Sequence, residues 1–211
     1  MTKRLRADAQ RNRDDLVAAA RTLFGERGID VPLDEVAHRA GVGIGTLYRR
    51  FPDREALIEA VAIDTVGRLT EIAETELSAG PDAWTALVGF LRRAVELRIG
   101  VLLSVLTPQL PQAAHGRPAL RAARQELIGL LDRMVAGAQA HGVLRTDVGS
   151  GDIAVLLSML VRELPGLPDA VADAVPVRFL ELVLDGLRTR PGSALASGPV
   201  TAAELVGDGE P

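Results

Sequence analysis

The sequence predicts an all-α protein of about nine helices, in which a small N-terminal domain is followed by a larger helical body. Two observations support this prediction. Apolar residues recur at helical spacing in one segment after another, whereas no stretch alternates apolar and polar residues as a half-buried strand does. Clusters of glycine and proline separate these segments where helices would end.

Composition limits the classes of function. A chain of 211 residues is long enough for two domains, and a hydrophobic content of 47% supports a large buried core. Cysteine is absent, which excludes disulfides, thiolate metal sites and a cysteine nucleophile. The net charge of −4 argues against a protein that coats nucleic acid. Residues 1–56 carry a net +2 and the remainder −6, however, and a mildly basic end on an acidic body suits local DNA contact.

Residues 12–27 are predicted to form the first helix. Leu16 and Phe24 lie on one apolar stripe at helical spacing, and Gly28 follows where the helix should end. The preceding residues, 1–13, are polar and rich in arginine, and we expect a mobile arm there. Two interpretations of this arm remain open: its arginines contact phosphate or the minor groove, or it is a solvated tail.

Residues 33–51 (LDEVAHRAGVGIGTLYRRF) have the pattern of two short helices joined by a glycine turn. Pro32 fixes φ for the start of the first helix, and we expect only a weak cap there. Gly41 stands where a helix end favours a positive φ. The second helix turns Leu47 and Phe51 inward, which leaves hydroxyl, phenol and guanidinium groups outside, as on a helix that reads the major groove. Spacing alone is equally consistent with a helical hairpin that does not bind DNA.

The segment AGVGIGTLYRRFPDREAL resembles the helix–turn–helix signature of the TetR family of transcriptional repressors, and the resemblance extends from about residue 12 to about residue 61. It implies that Tyr48 contacts phosphate and that Arg54 stands where relatives commonly have a phosphate-binding lysine. Arg49 and Arg50 either read guanine or neutralise phosphates. The predicted DNA-binding residues are Ile44, Gly45, Thr46, Tyr48, Arg49, Arg50 and Arg54.

A larger helical body is expected after residue 56. A long helix, capped by Asp53 and ending near Ser78, should link the two domains. The predicted domains are a helix–turn–helix DNA-binding domain (1–56), a ligand-binding and dimerisation domain (57–190) and a disordered tail (191–211). Further helices are predicted at residues 81–106, 118–142 and 151–164, with a proline-rich loop at 107–118 and a last helix from Ala170 or Pro176 to Thr189.

Aromatic residues make up 3% of the chain, so a cavity in the body should be aliphatic and suit an apolar or amphiphilic small-molecule effector. Arg98 stands beside a strongly apolar stretch and could bind an acidic group there, although an arginine in this position is more often paired or directed to solvent. The candidate effector-binding residues are Leu91, Arg98, Leu102, Leu131 and Met134.

The resemblance also implies a homodimer, because the last two helices of relatives pair with their copies as a four-helix bundle. The corresponding segments of this chain have more apolar residues than one core-facing stripe needs. For any one residue, packing within its own domain is an equally good explanation. The candidate interface residues are Leu156, Leu160, Phe179 and Val183.

Several other functions are disfavoured. The three histidines lie on different predicted elements without ligand-like spacing, so no metal site is expected. The glycines of residues 41–45 follow a helix and not a strand, which excludes a nucleotide-phosphate loop, and neither a cofactor nor a catalytic constellation is indicated. The N-terminus has no apolar signal segment and the longest apolar run, residues 99–106, is too short for a bilayer. We therefore expect a cytoplasmic protein without membrane contact.

Taken with the resemblance, the sequence predicts a transcriptional regulator, a repressor that binds a palindromic DNA operator as a homodimer and responds to a small-molecule effector. The alternative is a helical small-molecule-binding or protein-interaction module without specific DNA binding. An enzyme is disfavoured, because no catalytic constellation is present in the sequence.

Overall fold

The computed structural model of the chain describes residues 2–97, 118–160, 169–190, 192 and 194–200. These residues form eight helices and no strand, which confirms the predicted all-α class and comes close to the predicted helix count. The helices are α1 (Thr2–Arg27), α2 (Leu33–Arg39), α3 (Ile44–Arg50), α4 (Arg54–Ala79), α5 (Ala83–Glu96), α6 (Pro118–Ala140), α7 (Ser150–Leu160) and α8 (Asp169–Leu187).

Helices α1, α2 and α3 form a small N-terminal head around an aliphatic core. Leu16 and Phe24 of α1 are fully buried, as the predicted apolar stripe requires. Val36 of α2 and Leu47 of α3 are fully buried beside them and belong to the same core. Helix α1 contacts α2, α3 and α4, so it packs behind the two shorter helices and supports them.

The first helix begins much earlier than predicted. Helix α1 starts at Thr2, although we expected an arm before residue 12. Residues 2–13 contain no glycine or proline, and their arginines, alanines and leucine are good helix formers. Gln10 donates to Asp14 across one turn (2.8 Å), and Arg11 pairs with Asp8 in the same way. Local propensity therefore extends the helix although this segment lacks a strong apolar stripe.

The helix termini follow the local signals in the sequence. Pro32 precedes α2 with a φ of −55° and no side-chain cap, as expected. Gly41 has a φ of +69°, which the helix end required. The Asp53 carboxylate caps α4 by accepting a hydrogen bond from the Ala56 N–H at 2.7 Å. These local features position the short helices of the head.

Helix α4 connects the head to the body. Its apolar residues Leu57, Val61, Leu69 and Ala73 are buried along its length. It packs against α1 in the head and against α5 and α6 in the body. A single helix thus crosses both cores.

The described residues of the predicted tail include two that hydrogen bond to the body. The Leu195 N–H donates to the Asp147 carboxylate at 2.7 Å, and the Val200 N–H donates to the Asp152 carboxylate at 3.0 Å. A carboxylate from the turn before α7 and one from the first turn of α7 thereby satisfy backbone groups that have no helix or strand partner. Predicted features at residues 98–117, 161–168 and 201–211 lie outside the described residues.

Candidate nucleic-acid interface

Helix α3 presents one face to the head core and the other to solvent. Leu47 is fully buried and Phe51, which follows the helix, is 3% exposed, so these two residues anchor it. On the opposite side Ile44 is 41% exposed and Tyr48 is 52% exposed. Such large exposed side chains on a seven-residue helix are not explained by packing within the head.

Polar groups accompany these exposed side chains. The Arg49 guanidinium donates from Nη2 to the Thr46 hydroxyl oxygen at 3.1 Å, which holds both side chains on the same side of the helix. Arg50 is exposed beside them. A Cβ added at Gly45 would meet nothing within 4 Å, so the backbone there is open to close approach. We call this surface the α3 face; it consists of Ile44, Gly45, Thr46, Tyr48, Arg49 and Arg50.

The turn before α3 fixes its angle to α2. The Gly41 N–H donates to the His38 carbonyl and the Val42 N–H to the Ala37 carbonyl, both at 3.0 Å. These bonds close the end of α2 through a left-handed residue. Val42 is half-buried and packs against the core.

Charge pairing in the head leaves the α3 face cationic. Arg27 pairs with Glu35, which raises the pKa of the guanidinium above its ordinary value, and Arg39 lies 3.5 Å from Glu26. These pairs join α1 to α2. Neither Arg49 nor Arg50 forms an ion pair with any residue that the structure describes, so their charge is available to an anionic partner.

Arg54, the last of the predicted DNA-binding residues, hydrogen bonds to the backbone of the head. Its Nη1 donates to the Ile29 carbonyl at 2.6 Å and to the Val31 carbonyl at 2.8 Å. The guanidinium is half-buried against the loop between α1 and α2. A contact between Arg54 and phosphate remains a prediction. The observed hydrogen bonds suggest a different role for this side chain.

The described residues offer neither a metal site nor a membrane span. No group of three or more histidine, aspartate or glutamate residues is arranged to hold a metal ion there. Among the helices whose positions are described, none combines the length and the hydropathy that a bilayer crossing needs.

Three of the candidate effector-binding residues lie in the described part of the chain, and all three are closely packed. Leu91, Leu131 and Met134 are buried in the core that α5 and α6 share. Arg98 and Leu102 lie outside the described residues. The structure therefore brings three of the five together as core residues.

An open groove of about 560 Å³ lies elsewhere, between α4, α5 and α8. Leu91, Leu131 and Met134, the candidate effector-binding residues that the structure describes, do not line it. The Arg188 guanidinium covers the Trp84 ring at 5.1 Å from the centroid, and Glu76 and Glu181 stand on opposite walls. Sequence reasoning missed this groove because its walls come from helices that are distant along the chain.

The candidate interface residues fall into two groups. Phe179 is 52% exposed, whereas Leu156, Leu160 and Val183 are half-buried and pack against their own core. Helices α7 and α8 are in contact and carry further exposed apolar side chains that the sequence analysis did not select. We call this surface the α7–α8 face; it consists of Val155, Met159, Val177, Phe179 and Leu182.

Comparison with known proteins agrees with this architecture. Residues 16–61 match the family described as bacterial regulatory proteins, tetR family. Residues 82–189, about half of the chain, match the family described as transcriptional regulator SbtR-like, C-terminal domain.

Two solved structures are similar over most of the chain. A TetR transcriptional regulator from Streptomyces coelicolor is 36% identical, with 83% of this chain and 98% of that chain covered and a TM-score of 0.61. A TetR transcription regulatory protein from Mycobacterium vanbaalenii is 35% identical, with 88% and 99% covered and a TM-score of 0.59. An HTH-type transcriptional regulator of Staphylococcus aureus (strain USA300) is 39% identical over 54 residues, which span 25% of this chain and 29% of that relative.

A three-helix head with an exposed polar helix, joined to a helical body, is the architecture of helix–turn–helix regulators. Because one family covers half of the sequence and solved relatives match nearly end to end, the assignment can be made more specific. The chain belongs to the TetR family of transcriptional regulators. This membership confirms the resemblance seen in the sequence and agrees with the expectation of a regulator and not an enzyme.

Proposed function

We propose that this regulator binds a palindromic operator as a homodimer, with the α3 face of each protomer in a major groove. The observation that carries the proposal is the exposure of Tyr48 together with the two arginines that have no carboxylate partner in the described structure. Arg50 or Arg49 then neutralises phosphate or reads guanine, and Thr46 offers its hydroxyl to phosphate and its methyl group to thymine. We place this activity in the cytoplasm, where the operator DNA is.

The α7–α8 face supports the dimer. Large exposed apolar side chains on two helices that contact each other favour an interaction surface. Pairing this face with its copy would bury side chains such as Met159, Phe179 and Leu182 and would relate the two α3 faces by a two-fold axis. Operator half-sites should then lie about 34–36 Å apart, or a multiple of that distance, along the DNA.

An effector would act through the body. We propose that a small apolar or amphiphilic molecule binds between the body helices and favours a state in which the two α3 faces no longer match the operator, which relieves repression. Its leverage equals the difference between its affinities for the two states. Leu91, Leu131 and Met134 are closely packed, so a ligand among them must displace core side chains.

The proposal is tested by selecting bound sequences from random duplex DNA with the full-length protein. A palindromic consensus is expected. Thr46→Ala combined with Arg50→Ala should abolish the footprint on that consensus while leaving the mass of the dimer unchanged. Thr75→Ala combined with Arg133→Ala makes the same two chemical changes at exposed positions of the body and should leave the footprint intact.

Two results would contradict the proposal. If the footprint survives the Thr46 and Arg50 substitutions, the α3 face does not contact the DNA. Selection that yields no consensus would favour a helical module that binds small molecules or proteins and has lost specific DNA binding.

A further inference from the structure

Arg54, the first residue of α4, bonds to the backbone of the head. Its Nη1 donates to the carbonyl oxygens of Ile29 and Val31 at 2.6 and 2.8 Å. Hydrogen bonds from a charged donor are stronger than those between neutral groups. One guanidinium therefore joins the start of α4 to the loop between α1 and α2.

This loop sets the position of α2. Gly28 turns the chain with a φ of +82°, and the side chains of Ile29 and Val31 are buried in the head core. Pro32 then begins α2 without a side-chain cap. A cap would accept hydrogen bonds from the first N–H groups of α2, whereas Arg54 donates to carbonyl oxygens of the preceding loop, so it holds the loop from which α2 starts.

A second contact also joins the head to helix α4. The Arg21 guanidinium of α1 lies 2.6 Å from the Asp64 carboxylate of α4, and both groups are partly buried. The N-terminal part of α4 is thus held to α1 at Asp64 and to the α1–α2 loop at Arg54. Movement of α4 must carry the head with it.

We propose that Arg54 is a positioning residue, which fixes the tilt of α2 and α3 against α4 and affects DNA affinity through the α3 face without binding phosphate itself. This inference rests on the proposed DNA-binding function. It assigns Arg54 a role different from the phosphate contact that the resemblance implies, because both bonds of Nη1 go to the protein's own backbone.

The test compares Arg54→Met with Arg50→Met in the full-length protein. Both variants remove one guanidinium and keep an unbranched stem, but Arg50 has its side chain on the exposed α3 face. The first measurement is deuterium uptake by peptides that span residues 28–36, without DNA. Arg54→Met should accelerate exchange there by about tenfold, and Arg50→Met should leave it unchanged.

The second measurement is the salt dependence of Kd for the DNA consensus obtained by selection. A positioning role predicts that Arg54→Met weakens binding by about tenfold at every salt concentration, with the slope of log Kd against log salt unchanged. A phosphate contact predicts a slope smaller by about one.

Every other outcome overturns the inference. Unchanged exchange in the loop would show that Arg54 does not hold it, and faster exchange with unchanged affinity would show that the loop does not position α3. A smaller slope of log Kd against log salt would show that Arg54 contacts phosphate. If Arg54→Met fails to fold by circular dichroism, Arg54→Lys, which keeps the charge but loses the planar fork, is measured in the same two ways.

Failure of the proposed function gives a different pattern. If selection yields no consensus, the exchange measurement still decides whether Arg54 holds the loop, because it uses the free protein. Accelerated exchange without any specific DNA binding would show that Arg54 holds the loop but that the protein does not bind an operator. The proposed effect of Arg54 on DNA affinity through α3 would then be refuted as well.

Discussion

The Asp147 carboxylate shows how one side chain can order a segment that has no regular structure. Arg145 donates to it through Nε at 2.5 Å and through Nη2 at 2.8 Å, and the Leu195 N–H adds a third bond. The hydrogen bonds from Arg145, followed by that from the Leu195 N–H, hold the pKa of the Asp147 carboxyl well below its ordinary value. The bonds therefore stabilise the folded state only while Asp147 is ionised.

A pH dependence follows from the sign of this shift. Since the folded pKa lies below the unfolded one, the contribution is complete above about pH 4 and is lost as pH falls through the folded pKa. Asp147→Asn should therefore lower stability at neutral pH and flatten the decline in acid, as measured by urea unfolding between pH 3 and pH 7. Asp132→Asn, at an exposed position of α6, serves as control. Parallel acid profiles for Asp147→Asn and the unmodified protein would contradict this account.

At the residue scale, sequence analysis succeeded where the information is local. The i, i+4 spacing of Leu47 and Phe51 predicted which side of α3 faces the core, and hence that Tyr48 is exposed. It could not find the partners of Arg54, because the carbonyls of Ile29 and Val31 lie more than twenty residues earlier in the chain. Only the packing of α4 against the head brings them together.

Two threonines in the middle of helix α4 are buried and bond to the helix's own backbone. The Thr65 hydroxyl donates to the Val61 carbonyl at 2.7 Å and the Thr70 hydroxyl to the Val66 carbonyl at 3.1 Å, bonds that compete with the backbone ladder and bend helices. Gly67 lies between them. A Cβ added there would meet nothing within 4 Å, so close packing does not require a glycine.

Gly67→Ala should therefore stabilise the protein by about 0.5–1 kcal/mol, because alanine loses less backbone entropy in a helix. Gly80→Ala, immediately after the same helix, should destabilise it, since its Cβ would lie 2.9 Å from the Glu76 carbonyl oxygen. The urea midpoints of the two variants should move in opposite directions from that of the unmodified protein. A lower midpoint for Gly67→Ala would show that a methyl group at this position disturbs the packing of α4.

Helix boundaries, like the residue contacts, were predicted correctly where the signal in the sequence is local. Asp53, Pro32 and Gly41 marked helix ends correctly because capping and backbone preference act within a few residues. The start of α1 was wrong because we expected a helix only where an apolar stripe was present, and local propensity extended it to Thr2. The groove between α4, α5 and α8 was invisible because no local pattern reports which helices become neighbours.

At the scale of the molecule, the α3 face and the α7–α8 face have different roles in the proposed function. The α3 face offers cations and hydroxyls to DNA, whereas the α7–α8 face offers aliphatic and aromatic surface to a second copy. Helix α4 spans the distance between the head and the body that carries the second surface. Because one protomer reads one half-site, losing the dimer should weaken operator binding even when every α3 residue is intact.

This coupling gives the last prediction. Met159 and Leu182 are 68% and 58% exposed in the protomer, so Met159→Glu combined with Leu182→Glu should leave the fold intact. In the dimer the two carboxylates would be buried without partners, which should weaken association by about 10²-fold or more and operator affinity by a similar factor. Sedimentation velocity measures the first effect and operator titration the second.

The matched control is Leu97→Glu, because Leu97 is 51% exposed but follows α5 and lies on neither α7 nor α8. It should leave both association and operator affinity unchanged. A dimer that persists in the double variant would place the interface elsewhere on the body. A monomer that still binds the full operator with unchanged affinity would break the link between dimerisation and DNA recognition, since each half-site would then suffice alone.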